Sequence, residues 1–188
     1  MSLNEQEISR ETIFTGRVID LVMEQVELPN GKKASREVVL HPGAVCCLAI
    51  NQDNKILLVK QWREPLKKIS IEIPAGKLDK ADDSQLDAMK RELDEETGYK
   101  AEYWAKIIAF NSSPGFSNEE LTLFYCDSLT ELSDKSSMDD DEFVEKMWVS
   151  LPETKEMIAN GEIVDLKTIY AVSYWENMQL RSTLNEQE

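Results

Sequence analysis

Basic residues are scarce in this chain. There are 21 Lys and Arg against 36 Asp and Glu, a net charge of −15 over 188 residues. That balance argues against a nucleic acid or other polyanion as partner. It leaves room for a small anionic substrate, because bound divalent cations reverse a local field. Long apolar runs are also missing. No stretch reaches the length of a membrane span and no secretory h-region opens the chain, so a cytoplasmic protein with no membrane partner is expected. Histidine occurs once, as His41 before a Pro-Gly turn, where a structural role is expected over a catalytic one. The three cysteines, Cys46, Cys47 and Cys126, lack metal-binding spacing. Cys46 and Cys47 lie in an apolar run and read as buried thiols. What is present, with 41% hydrophobic residues, is enough for one domain of ordinary size with an appendage.

Taken in order, residues 1–8 are polar and expected to fray. A short strand is expected over 11–16 and an apolar, β-branched one over 18–28. Pro29-Asn30-Gly31-Lys32 is a hairpin signal, and 34–40 returns as a strand. This first unit, 1–42, is too small to hold a core alone. From Ala44 to Ile50 the chain is continuously apolar, and 56–62 is expected to pair back on it. Further strands are expected over 69–73, 101–110, 121–126 and 143–149, with a polar, acidic loop over 129–141. Helices are expected over 152–160 and 165–180, the second turning Leu166, Ile169, Tyr170, Val172, Ser173 and Trp175 inward. The domain proper spans 43–183, with a tail at 184–188. Mixed strands with separate helices point to an α/β/α sandwich with a mixed sheet, plus the small N-terminal β unit.

The chain is organised around residues 71–99. Glu92, Asp94, Glu95 and Glu96 put four acids within five residues. A charge run is usually a solvated helical face, but the helical period argues for more here. At roughly 100° per residue, Leu86, Met89, Lys90 and Leu93 form one stripe. Glu92 and Glu96 stack one turn apart at its margin while Asp94 points away. Stacked carboxylates beside a core repel each other unless a cation lies between them, and hard oxygen ligands suit Mg²⁺ or Mn²⁺. Ser84 is the expected N-cap, with Asp87 completing a capping box, and Gly98 the left-handed stop. Arg91 and Glu95 form an i,i+4 pair. Pro74-Ala75-Gly76 breaks the preceding strand, in a turn that leaves a backbone carbonyl for a metal.

This stretch resembles the Nudix box, Gly-x5-Glu-x7-Arg-Glu-U-x-Glu-Glu-x-Gly-U, with U a bulky apolar residue. Arg91-Glu92-Leu93-x-Glu95-Glu96-x-Gly98 matches its second half, and Tyr99 takes the last apolar slot. The first half departs. Counting forward from Gly76 reaches Asp82 and counting back from Arg91 reaches Asp83, so the loop is one residue longer and an Asp replaces the Glu. The chain is also similar to the ADP-ribose pyrophosphatase branch of that family. The similarity lies in Arg36-Glu37-Val38-Val39-x-His41-Pro42-Gly43-Ala44, in Gln61-Trp62-Arg63-Glu64-Pro65, in Glu72-x-Pro74-Ala75-Gly76-Lys77, and in Pro114, sixteen residues after Gly98.

The resemblance implies an enzyme that hydrolyses the diphosphate of ADP-ribose to AMP and ribose 5-phosphate. Glu92, Glu96 and the Ala75 carbonyl would hold Mg²⁺ or Mn²⁺, which would screen the diphosphate and activate water. Glu95 would complete or orient the cluster with Arg91. Arg36 and Arg63 would grip phosphate or ribose by forked hydrogen bonds, with Glu37, Glu72, Pro114, Gly115 and Glu119 as further substrate contacts. The base would come from the acidic run Asp139-Asp140-Asp141-Glu142, with Glu142 aligning best. Two other readings stay open: a Nudix hydrolase of another nucleoside diphosphate derivative, and a non-catalytic sensor of ADP-ribose. Loss of the box acids would mark the sensor, and Glu92, Glu95 and Glu96 are all present. Along 18–28 alternation puts apolar residues on both faces, a patch monomers rarely leave bare. A homodimer is expected, with 1–42 packed on the partner chain, as in that branch.

Overall fold

The computed structural model describes residues 3–79, 81–133 and 143–185. The chain forms two compact units, one of residues 1–44 with 109–121 and one of 45–108 with 122–188.

The first unit is built on a three-stranded antiparallel sheet in the order β1-β2-β3, from β1 (Gln6–Thr15), β2 (Asp20–Glu27) and β3 (Lys33–Leu40). The hairpin read at Pro29-Asn30-Gly31-Lys32 is there, and Gly31 takes the positive φ of 78° that its turn needs. The first strand is longer than expected. It begins at Gln6, inside the stretch expected to fray, because pairing with β2 satisfies its backbone. Val22 and Val26 bury one face of β2, whereas β1 is exposed along its whole length. Residues 113–118 are tied to the end of β3. Val39 N–H donates to the Phe116 carbonyl (2.8 Å), Asn118 N–H to the Val39 carbonyl (3.2 Å) and His41 N–H to Asn118 Oδ1 (2.7 Å).

The second unit carries two sheets. One has the order β10-β5-β6, from β5 (Lys55–Arg63), β6 (Lys68–Glu72) and β10 (Val144–Ser150). The other has the order β7-β4-β9-β8, from β4 (Ala44–Ala49), β7 (Ala75–Lys77), β8 (Tyr99–Asn111) and β9 (Glu120–Glu131). The expected pairing of 56–62 back on β4 reduces to one bridge, Ile50–Ile56, since β5 gives its edges to β6 and β10. Strand β9 runs on to Glu131, into residues read as loop. Strand alternation explains the helices on either side of β4. Val45, Cys47 and Ala49 pack with Ala88, Met89 and Leu93 of α1 (Gln85–Thr97), together with Phe124 and Cys126 of β9. The intervening Cys46 and Leu48 are fully buried on the other face. Helix α3 (Leu166–Asn185) buries Thr168, Ala171, Val172 and Trp175 in the same unit. The expected α/β/α layering follows. A third helix, α2 (Leu151–Ala159), starts in a Ser150–Glu153 capping box.

Both long helices are rotated from the expected faces. In α1 the buried residues are Ala88, Met89, Leu93, Glu96 and Thr97, and Lys90 is exposed. In α3 they are Thr168, Ala171, Val172 and Trp175, while Leu166, Tyr170 and Ser173 face out. Counting apolar residues alone misled, because the contact faces use Thr and Ala, which period arithmetic does not weight. None of the helices among the described residues is long and apolar enough to cross a membrane.

Candidate active site

The site is assembled from two elements, a three-residue edge strand and the helix that follows it. After Glu72 the chain leaves β6. Ile73 and Pro74 are buried between strands, and Ala75–Lys77 forms β7 at the edge of its sheet. The turn expected here is therefore a strand. An edge strand presents one row of backbone groups that the sheet does not pair. Ala75 N–H, in that strand, donates to Glu96 Oε2 at 3.1 Å. In a strand the carbonyl of a residue lies on the same side as its N–H, so Ala75 offers an oxygen toward the same acid.

Helix α1 brings the acids to this edge. Ser84 caps it, its hydroxyl oxygen accepting from Asp87 N–H at 3.1 Å, and Gly98 stops it at a φ of 69°. The reciprocal capping-box contact differs slightly. Asp87 Oδ2 accepts from the Ser84 hydroxyl (2.6 Å), because an aspartate is one carbon short of reaching the N-cap amide. Glu96 lies on the buried face, 6% exposed, rather than at its edge. Glu92 sits beside it, against Gly76. A Cβ on Gly76 would lie 1.8 Å from the Glu92 carboxyl carbon, so only glycine allows this approach. Glu96 is thus bonded to, and Glu92 packed against, the Ala75–Gly76 backbone.

Arg91 is the organising cation. Its Nε and Nη2 fork onto Asp82 Oδ1 and Oδ2, each at 3.1 Å, while Nη1 donates to Glu92 Oε1 and to Glu95 Oε2, both at 2.8 Å. The i,i+4 pair is as expected. The fork also resolves the irregular first half of the box. Asp82 is the acid that folds back, and the Arg91 hydrogen bonds hold its carboxyl below the usual range. Asp83 is exposed. The extra residue is taken up between Asp82 and the helix. The hydrogen bonds Arg91 donates to Asp82 first, then the charge of Glu92 and the hydrogen bonds to Glu95 and Glu92, keep Arg91 protonated. Glu95 is held by Arg91 rather than stacked with Glu92 and Glu96. Among the described residues, no three acid, histidine or cysteine side chains stand close enough to enclose an ion by themselves. The donor set of two carboxylates and a strand carbonyl is all oxygen, and such a set fits Mg²⁺ or Mn²⁺.

Arg63 and Glu72 meet in the same unit. Arg63 Nε and Nη2 donate to Glu72 Oε1 and Oε2 at 2.8 and 2.7 Å. Burial of Glu72 would raise its pKa, but the Arg63 hydrogen bonds and the charges of Lys167 and Arg63 outweigh it and pull it down to about 2. Sequence reading missed Lys167, whose Nζ also bonds Glu72. Its signal was a lysine at the second position of a helix capped by Asp165, masked by the misplaced α3 stripe. The remaining expected contacts belong to the first unit. Arg36 forks onto Glu5, with Nε–Oε2 at 2.9 Å. Glu37, Pro114 and Gly115 are exposed there. Glu119 is bonded to the Ser112 hydroxyl and lies 3.6 Å from His41 Nδ1, which accepts from Gly43 N–H at 3.1 Å. Glu142 and its neighbours Asp139, Asp140 and Asp141 lie outside the described residues.

A family model described as the NUDIX domain matches residues 40–170. The chain belongs to the Nudix family. Among its relatives, an ADP-ribose pyrophosphatase of Bacillus subtilis is 48% identical over 187 residues, spanning 100% of this chain and 99% of that one. A methanol dehydrogenase activator of Bacillus methanolicus is 44% identical, spanning 96% of this Nudix chain and 95% of its own. An ADP-ribose pyrophosphatase of Mycobacterium tuberculosis is 33% identical, spanning 88% and 80%. A solved ADP compounds hydrolase shares the fold with a TM-score of 0.82 at 18% identity, covering 97% of this chain and 98% of that one.

Proposed function

We propose that this Nudix enzyme hydrolyses the diphosphate of ADP-ribose, adding water across one P–O–P bridge to release AMP and ribose 5-phosphate. The carrying observation is the pair Glu92 and Glu96, anchored on the Ala75–Gly76 edge and flanked by the Arg91 fork. The relatives of similar length that are named ADP-ribose pyrophosphatases support the choice of substrate. The anchored acids speak against a non-catalytic sensor.

Glu92, Glu96 and the Ala75 carbonyl would hold Mg²⁺, or Mn²⁺ in its place. When bound, such an ion screens the diphosphate and lowers the pKa of a coordinated water. The residues of the chain do the rest. Arg91 holds Glu92 and Glu95 at fixed orientation. Arg63, with Nε and Nη2 engaged by Glu72, keeps its other donors for phosphate oxygens. Arg36, Glu37, Pro114, Gly115 and Glu119 are assigned to the substrate on the family pattern, and Glu142 to the base that takes the proton of the attacking water. The reading also makes the protein a cytoplasmic homodimer.

Product analysis tests this reading. Purified protein with Mg²⁺ is offered ADP-ribose and a panel of other nucleoside diphosphate derivatives. AMP and ribose 5-phosphate should appear, with ADP-ribose giving the highest kcat/KM. A GDP-linked sugar cleaved faster would move the assignment to another substrate, a possibility kept open by a GDP-mannose pyrophosphatase of Cronobacter sakazakii that is 28% identical over 98% of this chain.

A further inference from the structure

Four charged side chains meet around an open cleft of about 330 Å³. They are Arg63, Glu72, Asp165 and Lys167. Glu72 is 3% exposed and the Lys167 side chain 11%, whereas Arg63 is 39% exposed at the cleft wall. Lys167 Nζ donates to Glu72 Oε2 and, at 3.0 Å, to Asp165 Oδ1. Asp165 Oδ2 accepts from Thr168 N–H (3.0 Å) and from its hydroxyl (2.6 Å). The Thr168 hydroxyl accepts in turn from Ile73 N–H at 2.9 Å. The first turn of α3 is thereby tied to the end of β6.

A buried carboxylate needs one good cationic partner. Arg63 already supplies a two-pronged one. A second, almost buried cation, with its own acid to balance it, is costly in desolvation and adds no neutralisation that Glu72 lacks. Its geometric effect is distinct. Oε1 of Glu72 is engaged by Arg63, and Oε2 by both Arg63 and Lys167, so the carboxylate plane cannot turn. A fixed carboxylate fixes the guanidinium plane that forks onto it. Because Lys167 and Arg63 hold Glu72 ionised well below neutral pH, the clamp stays closed across working conditions.

We propose that Lys167 is a positioning residue for the diphosphate substrate, acting through Glu72 to hold the Arg63 guanidinium so that its uncommitted donors face the cleft. The inference rests on the reading above of Arg63 as a substrate contact. A Å-scale misplacement of such a group is enough to cost a large factor in rate or binding.

Steady-state kinetics on the full-length protein with ADP-ribose and Mg²⁺ test it, using Lys167→Met, Lys167→Arg, Arg63→Ala and the double variant Arg63→Ala/Lys167→Met. Lys167→Met should raise KM about tenfold with kcat within about threefold, the pattern of lost uniform binding. Lys167→Arg, which keeps the charge and the reach, should restore KM to within about threefold. On the Arg63→Ala background, Lys167→Met should add no further rise. Thermal melts verify folding, and Lys167→Gln replaces the methionine variant, with the same expectation, should that one not fold. An unchanged KM in Lys167→Met overturns the proposal. So does a rise of the same size with and without Arg63, which would make Lys167 either a direct contact or a general stabiliser. Turnover by the unaltered protein tests the proposed reaction and the variants' KM tests this inference, so the two fail separately.

Discussion

A methyl group on Gly76 would collide with the Glu92 carboxylate, its Cβ falling 1.8 Å from the carboxyl carbon. No small shift of a flexible tip relieves that, because Glu92 Oε1, which would lie 2.2 Å from the same Cβ, is held by Arg91. Gly76→Ala should therefore lower kcat by about 10²-fold or more, the scale seen when a charge-stabilising group is displaced, while the melting temperature moves little. Kinetics and a melt on the same sample check this; near wild-type turnover would mean that Glu92 need not lie against the strand. The glycine was visible in the sequence as the head of the box, but its reason was not. Close approach depends on two segments sixteen residues apart meeting in space, and no periodicity reports that. The stacking of Glu92 and Glu96 was legible because it follows from helical geometry alone.

Within the box, the loop from Gly76 to Ser84 sets which acid serves Arg91. Length alone left Asp82 and Asp83 equivalent; packing separates them, because a fork onto both oxygens of Asp82 demands that its side chain turn under the helix. Asp82→Asn should cost Arg91 its charge-assisted fork, leaving Glu92 and Glu95 less rigidly held. A loss of about tenfold in kcat is expected, against no more than about twofold for Asp83→Asn, as for a solvated surface acid. Equal losses in the two variants would contradict the assignment. The caps of α1 and the hairpin of β2 and β3 were readable because each is a local signal carried by one or two residues. The faces of α1 and α3 were not. Glu96 is buried by virtue of its bond to Ala75, and Thr168 by its bond to Ile73. A polar residue that is satisfied across elements looks, in sequence, like one that faces water.

For the molecule as a whole, β1 is the unexplained element, exposed throughout and carrying Ile8, Ile13 and Phe14. Such a patch is uncommon on a monomer, and a second copy covering it is the simplest arrangement. Light scattering on the eluting peak at micromolar concentration should give twice the chain mass of 21.5 kDa, and a mass at 21.5 kDa itself would rule the dimer out. The α/β/α layering was legible because burial of both faces of β4 follows from its uninterrupted apolar run; the break between the two sheets was not, since it depends on which neighbours β5 chooses. The central claim, that the Glu92–Glu96 pair on the Ala75 edge is the catalytic centre, is met most directly by the Mg²⁺-dependent turnover of ADP-ribose in Glu96→Gln. The substitution keeps shape and a hydrogen-bond acceptor for Ala75 N–H but removes the charge. Turnover should fall by a factor on the order of 10³ or more with the fold intact. A folded Glu96→Gln protein that turns over at near the wild-type rate would contradict it.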